Sequence, residues 1–211
     1  MMDMAAMREE FGRVGLDVSD VAEDPLTQFR EWFDLWTNVN PYLADTMVLS
    51  TVDADGWPDA RAVLLKGVDS RGFVFYTNRK SAKGVQLEAN GRAALTMVWR
   101  EIERQVRVVG EVSRVSESES DAYFASRPRG AQIGACASEQ SAVLRSRAEL
   151  EASVAELEER YPDEIPRPSH WGGYLVTPQC VEFWQGRPDR LHDRVRYRLE
   201  TDSWIVERLA P

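Results

Sequence analysis

Residues 46–78 read TMVLSTVDADGWPDARAVLLKGVDSRGFVFYTN, and the fold class follows from them. Three runs, TMVLSTV, PDARAVLLKGV and FVFYTN, have the β-branched and aromatic composition that is typical of strands. The tetrapeptides DADG and DSRG between them are rich in residues that form tight turns. The stretch therefore predicts a meander of three antiparallel strands.

A helix is predicted directly before these strands. Asp24 is a candidate N-cap and Pro25 suits the first helical position. Phe29, Trp32, Phe33 and Trp36 then follow at helical spacing, so they predict one apolar stripe that packs on the core and ends near residues 38–41. Residues 1–22 are polar and aperiodic, which predicts an arm or lid with one short helical turn at most, and residues 23–211 are predicted to form a single domain.

The rest of the chain alternates between strand and helix patterns. Helices are predicted at 81–90, 116–127 and 145–160, the last with Leu150, Val154 and Leu157 on its buried side. Strands are predicted at 92–99 and 104–115, and the last four are GGYLVTP, CVEFWQG, RVRYRLE and SWIVERL. Six or more antiparallel strands with a few helices predict a mainly β fold, a closed or nearly closed barrel with helices outside.

Composition excludes several classes of function. The 35 acidic residues outnumber the 26 basic ones, so the net charge of -9 argues against broad nucleic-acid binding. No apolar run is long enough to span a membrane, and the acidic N-terminus does not resemble a signal peptide. The two cysteines, Cys136 and Cys180, form no CxxC pair and are predicted to be reduced thiols in a cytoplasmic protein.

Residues 183–194, FWQGRPDRLHDR, contain His192, one of only two histidines in the chain. The cluster fits a solvated turn, a metal or nucleophile site, or a pocket for an anion. No glycine-rich phosphate loop, HExxH or GxSxG motif is present, and the few histidines make a metal site improbable. A triad built on His192 would need a nucleophilic serine that no motif marks.

Several basic residues occupy unusual positions. Arg61 and Lys66 flank four apolar residues, which indicates either ion pairs at strand ends or contact with an anion. Lys83 falls in the first turn of a predicted helix, where a cation opposes the helix dipole unless an anion such as phosphate binds there. Tyr123 and Arg127 share one helix face and form either a phosphate clamp or a surface pair.

These motifs occur together in one family. ARAVLLKG, FYTN with SAKG, ERQVRVVGEV, YFASRPRGAQIGA, SEQS, WGG, VEFWQG, RLHDR and WIVERLAP have the order and spacing of the pyridoxamine 5'-phosphate oxidases, which the chain resembles from residue 8 to 211. The resemblance implies an antiparallel split β-barrel homodimer with FMN in the subunit interface. It also implies oxidation of pyridoxine or pyridoxamine 5'-phosphate to pyridoxal 5'-phosphate, with hydride transfer from C4' to the flavin N5 and reoxidation by O2 to give H2O2.

The same resemblance implies the site residues. For FMN they are Arg61, Ala62, Val63, Leu64, Leu65, Lys66, Tyr76, Thr77, Ala82, Lys83, Gln105, Gln140, Ser141, Trp184 and Arg194. For the substrate they are Arg8, Phe11, Lys66, Tyr123, Arg127, Ala131, Arg190, Leu191 and His192, of which Arg190 and His192 hold the pyridine ring over the flavin as the catalytic pair. Arg187 and Asp189 are expected in a solvated turn, and Asp193 has no expected role.

Four positions depart from the family pattern. Ala82 replaces an arginine, Ala131 a serine, Phe11 a tyrosine and Cys136 a tryptophan. If uncompensated, these changes weaken ligand affinity; we expect FMN binding to survive them, whereas they leave the identity of the substrate open. Two other functions are therefore kept as alternatives: a flavin-dependent oxidase with another small substrate, and a flavin- or pyridoxal-phosphate-binding protein without catalytic activity.

Overall fold

The computed structural model of the protein describes residues 15–211, and its main element is one antiparallel sheet. Nine strands form this sheet within the described residues: β1 Thr46–Val52, β2 Pro58–Leu64, β3 Gly67–Asp69, β4 Gly72–Asn78, β5 Arg92–Trp99, β6 Arg104–Arg114, β7 Trp171–Gln185, β8 Asp193–Glu200 and β9 Ser203–Leu209. The strand order is β2-β1-β5-β6-β7-β4-β3, while β8 pairs with β7 and β9 pairs with β8.

The two outer strands of that order, β2 and β3, are consecutive in the chain. The Leu65 N–H donates to the Asp45 carbonyl at 2.8 Å, and the Lys66 N–H donates to the Val74 carbonyl at 2.8 Å. Leu65 and Lys66 are adjacent in the chain but bond to opposite ends of the strand order, next to β1 and to β4. The sheet therefore has to curl. The predicted antiparallel split barrel with helices at its periphery is thereby confirmed.

The two hairpins of the predicted meander are present, but its middle strand is broken. β1 pairs with β2, and β3 pairs with β4 over Gly67↔Val74 to Asp69↔Gly72, so the run PDARAVLLKGV is split into β2 and β3. The prediction missed the second partner of β4, which is β7 over Phe73↔Val176 to Asn78↔Trp171. Turn residues mark where strands end, whereas long-range packing selects the partner. Phe73 and Phe75, both fully buried, lie opposite the buried Val176 and Tyr174.

Strand β7 also differs from the prediction, because GGYLVTP and CVEFWQG are parts of one strand of 15 residues. Pro178 lies inside it and donates no hydrogen bond. Its position is tolerated because β4 pairs only as far as Val176, while β8 starts to pair at Cys180. The register between β6 and β7 shifts at Val109/Gly110, and Gly110 lies opposite Pro178.

Five α-helices surround the barrel in the described part of the chain: α1 Pro25–Val39, α2 Ala82–Asn90, α3 Glu117–Ser126, α4 Arg129–Ala137 and α5 Arg147–Arg160. Asp24, Ser81 and Ser116 cap the first three as side-chain acceptors. Helix α4 is not among the predicted helices, because Pro128 and Gly130 at its start are residue types that are typical of the end of the preceding helix. The α5 face with Leu150, Val154 and Leu157 is half-buried rather than buried, because α5 lies outside the barrel.

Helix α1 closes the core with its aromatic stripe. Phe29, Trp32 and Trp36 are buried and Phe33 is half-buried, as the spacing predicts. The Phe29 ring meets the Phe73 ring edge-on at 4.9 Å, and Trp36 stacks on Trp99 at 6.0 Å. The helix is therefore fixed by ring packing against strands β4 and β5.

The described part of the predicted arm, residues 15–22, packs against β8 and β9. Leu16 is buried, its N–H donates to Asp193 Oδ2 at 3.1 Å, and its carbonyl accepts from Arg208 at 2.8 Å. The short helical turn is present as a 3₁₀ turn at Val18–Asp20. Arg8 and Phe11 lie outside the described residues. Residues 15–211 contain no helix long and apolar enough for a membrane span.

Replacing Phe29 by alanine is expected to lower the free energy of unfolding by about 3–5 kcal/mol, because a buried ring is lost from the core. Denaturant titration measures the change. Glu31→Ala on the exposed face of the same helix is the matched control and should shift stability by no more than about 0.5 kcal/mol. Equal losses for the two variants would contradict the assigned packing.

Candidate functional site

A cavity of about 770 Å³ opens between strands β2 and β4 and helices α2, α3 and α4. It brings together residues that are far apart in sequence. Of the predicted site residues, those lining it are Ala62, Val63, Leu64, Lys66, Tyr76, Thr77, Lys83, Tyr123, Arg127, Ala131 and Gln140.

Lys83 is a buried cation at the start of α2. Its Nζ lies 3.3 Å from Gln140 Oε1 and 3.4 Å from Ser81 Oγ, and no carboxylate within residues 15–211 lies within 4.0 Å of it. Burial lowers the pKa of Lys83, and the positive charge of Arg61 lowers it further. A buried charge of this kind is costly unless an opposite charge is supplied, so the position favours an anionic ligand.

Arg127 is a second cation in the same cavity. It follows directly after α3, and its Nη1 is buried without a hydrogen-bond partner. Burial lowers the pKa of Arg127, and no ion pair to a carboxylate of the described chain offsets the loss of hydration. The predicted shared helix face is wrong, because Arg127 lies beyond the end of α3 with an extended backbone, although Tyr123 and Arg127 both line the cavity.

Three aromatic rings form one wall of the cavity. Tyr76 stacks on Tyr123 at 3.9 Å and on Trp171 at 5.5 Å, with all three planes nearly parallel. Gly173 makes this stack possible, because a Cβ at that position would lie 2.7 Å from the Tyr76 ring. Burial raises the pKa of Tyr76, and the negative charge of Glu119 adds to the effect.

Lys66 and Arg61 make ion pairs within the chain. Lys66 Nζ lies 2.5 Å from Asp45 Oδ2 while the residue still lines the cavity. Arg61 pairs with Asp59 at 2.5 Å and donates to Thr51 Oγ1 at 2.5 Å. It is not a lining residue of the cavity, but it is close enough to Lys83 to lower the pKa of that amine.

Two other predicted residues lie beside the cavity. Ala82 and Ser141 line a neighbouring cavity of about 850 Å³, where the Ala82 N–H donates to Ser141 Oγ at 3.1 Å. Gln140 borders both cavities. Leu65 is buried in the barrel core instead and lines neither cavity, because the chain crosses between the sheet edges there.

A second group of predicted residues lies on strands β6, β7 and β8. Gln105 is opposite Trp184, and Trp184 is opposite Arg194, so the three form one row across the sheet. The His192 ring packs on Trp184 at 4.5 Å, and its Nδ1 accepts from the Arg187 N–H at 3.1 Å. The exposed Arg190 and Leu191 lie in the same loop.

Neighbouring carboxylates fix this row. Glu182 is buried and accepts from Arg194 Nε at 2.9 Å and Nη2 at 3.1 Å, which raises the pKa of the guanidinium. Asp193, for which no role was expected, binds Leu16 and Arg208. Arg187 lies 3.5 Å from Asp193, so its assignment to a solvated turn is wrong, whereas Asp189 is exposed.

The two groups lie far apart within one chain. Tyr76 of the cavity is opposite Gly173 near the start of β7, whereas Trp184 is near its end. Gly173 and Trp184 are separated by roughly 35 Å along an extended strand. One small ligand therefore cannot contact both groups of the same chain.

Sequence reasoning assigned no role to three residues that the structure places at these groups. Trp171 and Ser138 line the cavity, and Glu182 binds Arg194. The paired glycines after Trp171 were a usable signal, since glycine next to an aromatic residue indicates close packing. Residues 15–211 contain no group of three or more His, Cys, Asp or Glu that could hold a metal ion, and Cys136 and Cys180 are both unpaired.

Comparison with known proteins identifies the family. The family model described as pyridoxamine 5'-phosphate oxidase matches residues 42–161, and the one described as the pyridoxine 5'-phosphate oxidase C-terminal dimerisation region matches 171–211. The pyridoxine/pyridoxamine 5'-phosphate oxidase of Nocardioides sp. is 52% identical over 100% of this chain and 99% of its own length. That of Pseudomonas paraeruginosa is 53% identical over 99% of this chain and 98% of its own.

Solved structures agree on the fold. PhzG from Burkholderia lata 383, in complex with tetrahydrophenazine-1-carboxylic acid, has a TM-score of 0.88 and 30% identity and covers 95% of this chain and 100% of its own. A pyridoxamine 5'-phosphate oxidase-related, FMN binding protein from Nostoc punctiforme has a TM-score of 0.72 at 18% identity, covering 90% of this chain and 100% of its own, and shows the fold alone. From its sequence and its fold, the chain belongs to the pyridoxamine 5'-phosphate oxidase family.

Proposed function

We propose that the protein oxidises pyridoxine 5'-phosphate or pyridoxamine 5'-phosphate to pyridoxal 5'-phosphate in the cytoplasm, using FMN and O2 and releasing H2O2. With the amine substrate, water hydrolyses the oxidised product to the aldehyde and ammonia is released. The observation that carries the proposal is a pair of cations, the buried Lys83 and the half-buried Arg127, in one cavity without a carboxylate partner among residues 15–211. FMN and the substrate each bring one phosphate, so two anions match two uncompensated cations.

The residues present fit FMN. Lys83 and Thr77 at the β4–α2 junction would hold its phosphate, since the start of a helix and a buried ammonium both favour an anion. The row of Gln105, Trp184 and Arg194 offers an amide, a ring face and a cation to the flavin rings. When bound, FMN supplies the redox chemistry by accepting a hydride from C4' of the substrate and returning the electrons to O2.

The substrate is bound from two sides in this proposal. Arg127, Tyr123 and Lys66 would bind its phosphate, and Arg190 and His192 would hold its ring. The Arg187 N–H donates to Nδ1 of His192, so the neutral imidazole carries its proton on Nε2 and donates from there. Histidine thus orients the ring, while the redox step belongs to the cofactor.

A homodimer would supply both groups to one ligand. The two groups lie at opposite ends of β7 within one chain, and a second copy can bring its Trp184 row to the cavity of the first. The match of residues 171–211 to a dimerisation region supports this arrangement, because the Trp184 row lies within those residues except for Gln105.

A second candidate function differs in its substrate. Ala131 lines the cavity with a methyl group where the family has a serine, and the likeness to PhzG favours a second candidate, a flavin-dependent oxidation of another small substrate. The loss of one neutral hydrogen bond costs about 1 kcal/mol, which weakens affinity about fivefold and does not change the reaction.

The proposed reaction is tested with the purified protein. It should bind FMN, and it should form pyridoxal 5'-phosphate and H2O2 from at least one of the two phosphates. Arg190→Ala and His192→Ala should lower kcat/KM and leave the FMN content unchanged. A protein that binds FMN but oxidises neither phosphate would favour the second candidate or a non-catalytic binding protein, and one that cannot bind FMN would exclude all flavin-dependent functions.

Lys83→Met is expected to weaken FMN binding about tenfold to a hundredfold, because it removes a charge-assisted contact to the phosphate. Quenching of FMN fluorescence measures the affinity. Wild-type affinity should fall as the pH rises through the lowered pKa of Lys83, since only the ammonium form binds the anion, and the variant should lack that step. The exposed Lys80→Met is the matched control, and an equal effect there would contradict the assigned role.

Mixed dimers test whether two chains build one site. Lys83→Met and Arg194→Ala should each bind FMN weakly as homodimers. The mixed dimer contains one chain of each variant. If each site combines the cavity of one chain with the Trp184 row of the other, one site carries both substitutions and the other carries neither. One FMN per dimer should therefore bind with wild-type affinity. If each site belonged to a single chain, the mixed dimer would contain no intact site.

A further inference from the structure

The guanidinium of Arg127 lies over aromatic rings, and its buried Nη1 has no hydrogen-bond partner. It lies 4.7 Å from the centre of the Trp171 ring and 5.8 Å from that of Phe124. We propose that Trp171 is a positioning residue, which holds Arg127 so that its N–H edge captures the phosphate of the substrate. This inference rests on the proposed function, because it assumes that the substrate carries a phosphate and that Arg127 binds it.

The chain provides Arg127 with no other anchor. Its side chain makes no ion pair to a carboxylate of residues 15–211, and Nη1 is buried without a hydrogen-bond partner. It also lies beyond the last turn of α3, where the backbone is extended and gives the side chain no helical packing. Contact with aromatic faces is therefore the interaction that fixes the guanidinium plane.

An aromatic ring that contacts a guanidinium leaves its N–H groups free to bind an anion, whereas a carboxylate occupies them. All five N–H groups of arginine point outward in the guanidinium plane, so a ring below that plane occupies none of them. Arg167 shows the contrast, because its edges are bound to Asp121 and Glu117. Arg127 keeps its edges free, which is the state that bidentate binding of phosphate requires.

Trp171 is itself rigid. It is buried at the start of β7, pairs with Asn78, and meets the Phe124 ring edge-on at 5.2 Å. It also lies parallel to the Tyr76 and Tyr123 rings in the stack that lines the cavity. A ring fixed on several sides can fix a cation in turn, and the same stack places the Tyr123 side chain beside Arg127.

A double-mutant cycle tests the proposal on the FMN-loaded protein. The probe is 4-deoxypyridoxine 5'-phosphate, which lacks the oxidisable alcohol, and its binding is measured by calorimetry. Trp171→Leu should weaken binding about tenfold, and Trp171→Phe less, because phenylalanine retains a weaker cation–π contact. In an Arg127→Ala background, Trp171→Leu should change the affinity by no more than about twofold.

Two controls separate positioning from general packing. Ile165→Ala removes apolar volume from the same hydrophobic cluster but leaves the ring over Arg127 in place, so it should lower Tm and leave probe affinity unchanged. Binding of dephosphorylated 4-deoxypyridoxine should be equally weak in wild type and in Trp171→Leu. FMN affinity should also be the same in these proteins.

The proposal is overturned if Trp171→Leu weakens probe binding equally in the wild-type and the Arg127→Ala backgrounds. It is also overturned if Trp171→Leu weakens binding of the dephosphorylated probe as much as that of the phosphorylated one. Should Trp171→Leu fail to fold, Trp171→Phe carries the cycle. A failure of the proposed function is distinguishable, because wild-type protein would then oxidise neither vitamer phosphate, whereas the binding cycle on the phosphorylated probe can still be measured.

Discussion

The barrel depends on two backbone hydrogen bonds made by adjacent residues. Leu65 bonds to the β1 side and Lys66 to the β4 side, so the chain itself joins the two edges of the sheet. This closure places β2 next to β4, and with them the cavity residues from Ala62 to Thr77. Without it the sheet would be open, and Lys83 of α2 and Arg127 after α3 would face no common cavity.

Electrostatics explain why an acidic chain concentrates cations here. Most arginines in the described chain are neutralised locally, as Arg194 is by Glu182 and Arg71 is by Asp69. Lys83 and Arg127 lack such a partner within the same residues, and burial lowers the pKa of both. A folded protein that keeps such charges without a partner has lower stability unless a ligand supplies the counter-charge.

The sequence predicted local structure well and long-range pairing poorly. Caps such as Asp24 and Ser81 and the stripe on α1 depend on neighbours within a few residues, so the chain alone reveals them. The partner of β4 and the continuity of β7 through Pro178 depend on residues about a hundred positions away. The same limit applies to the site: Lys83 was visible as a misplaced charge and Arg127 as part of a candidate clamp with Tyr123, whereas the row of Gln105, Trp184 and Arg194 came only from family resemblance.

Strand β7 sets the distance between the cavity at its start and the row of Gln105, Trp184 and Arg194 at its end. Its buried residues Val181 and Phe183 alternate with the half-buried Trp184, and the register shift near Pro178 sets which face each half presents. One inserted or deleted residue would turn Trp184 into the barrel and move Phe183 outward. The length of β7 is therefore constrained at both ends, because its register holds Gly173 opposite Tyr76 and Trp184 opposite Arg194 at the same time.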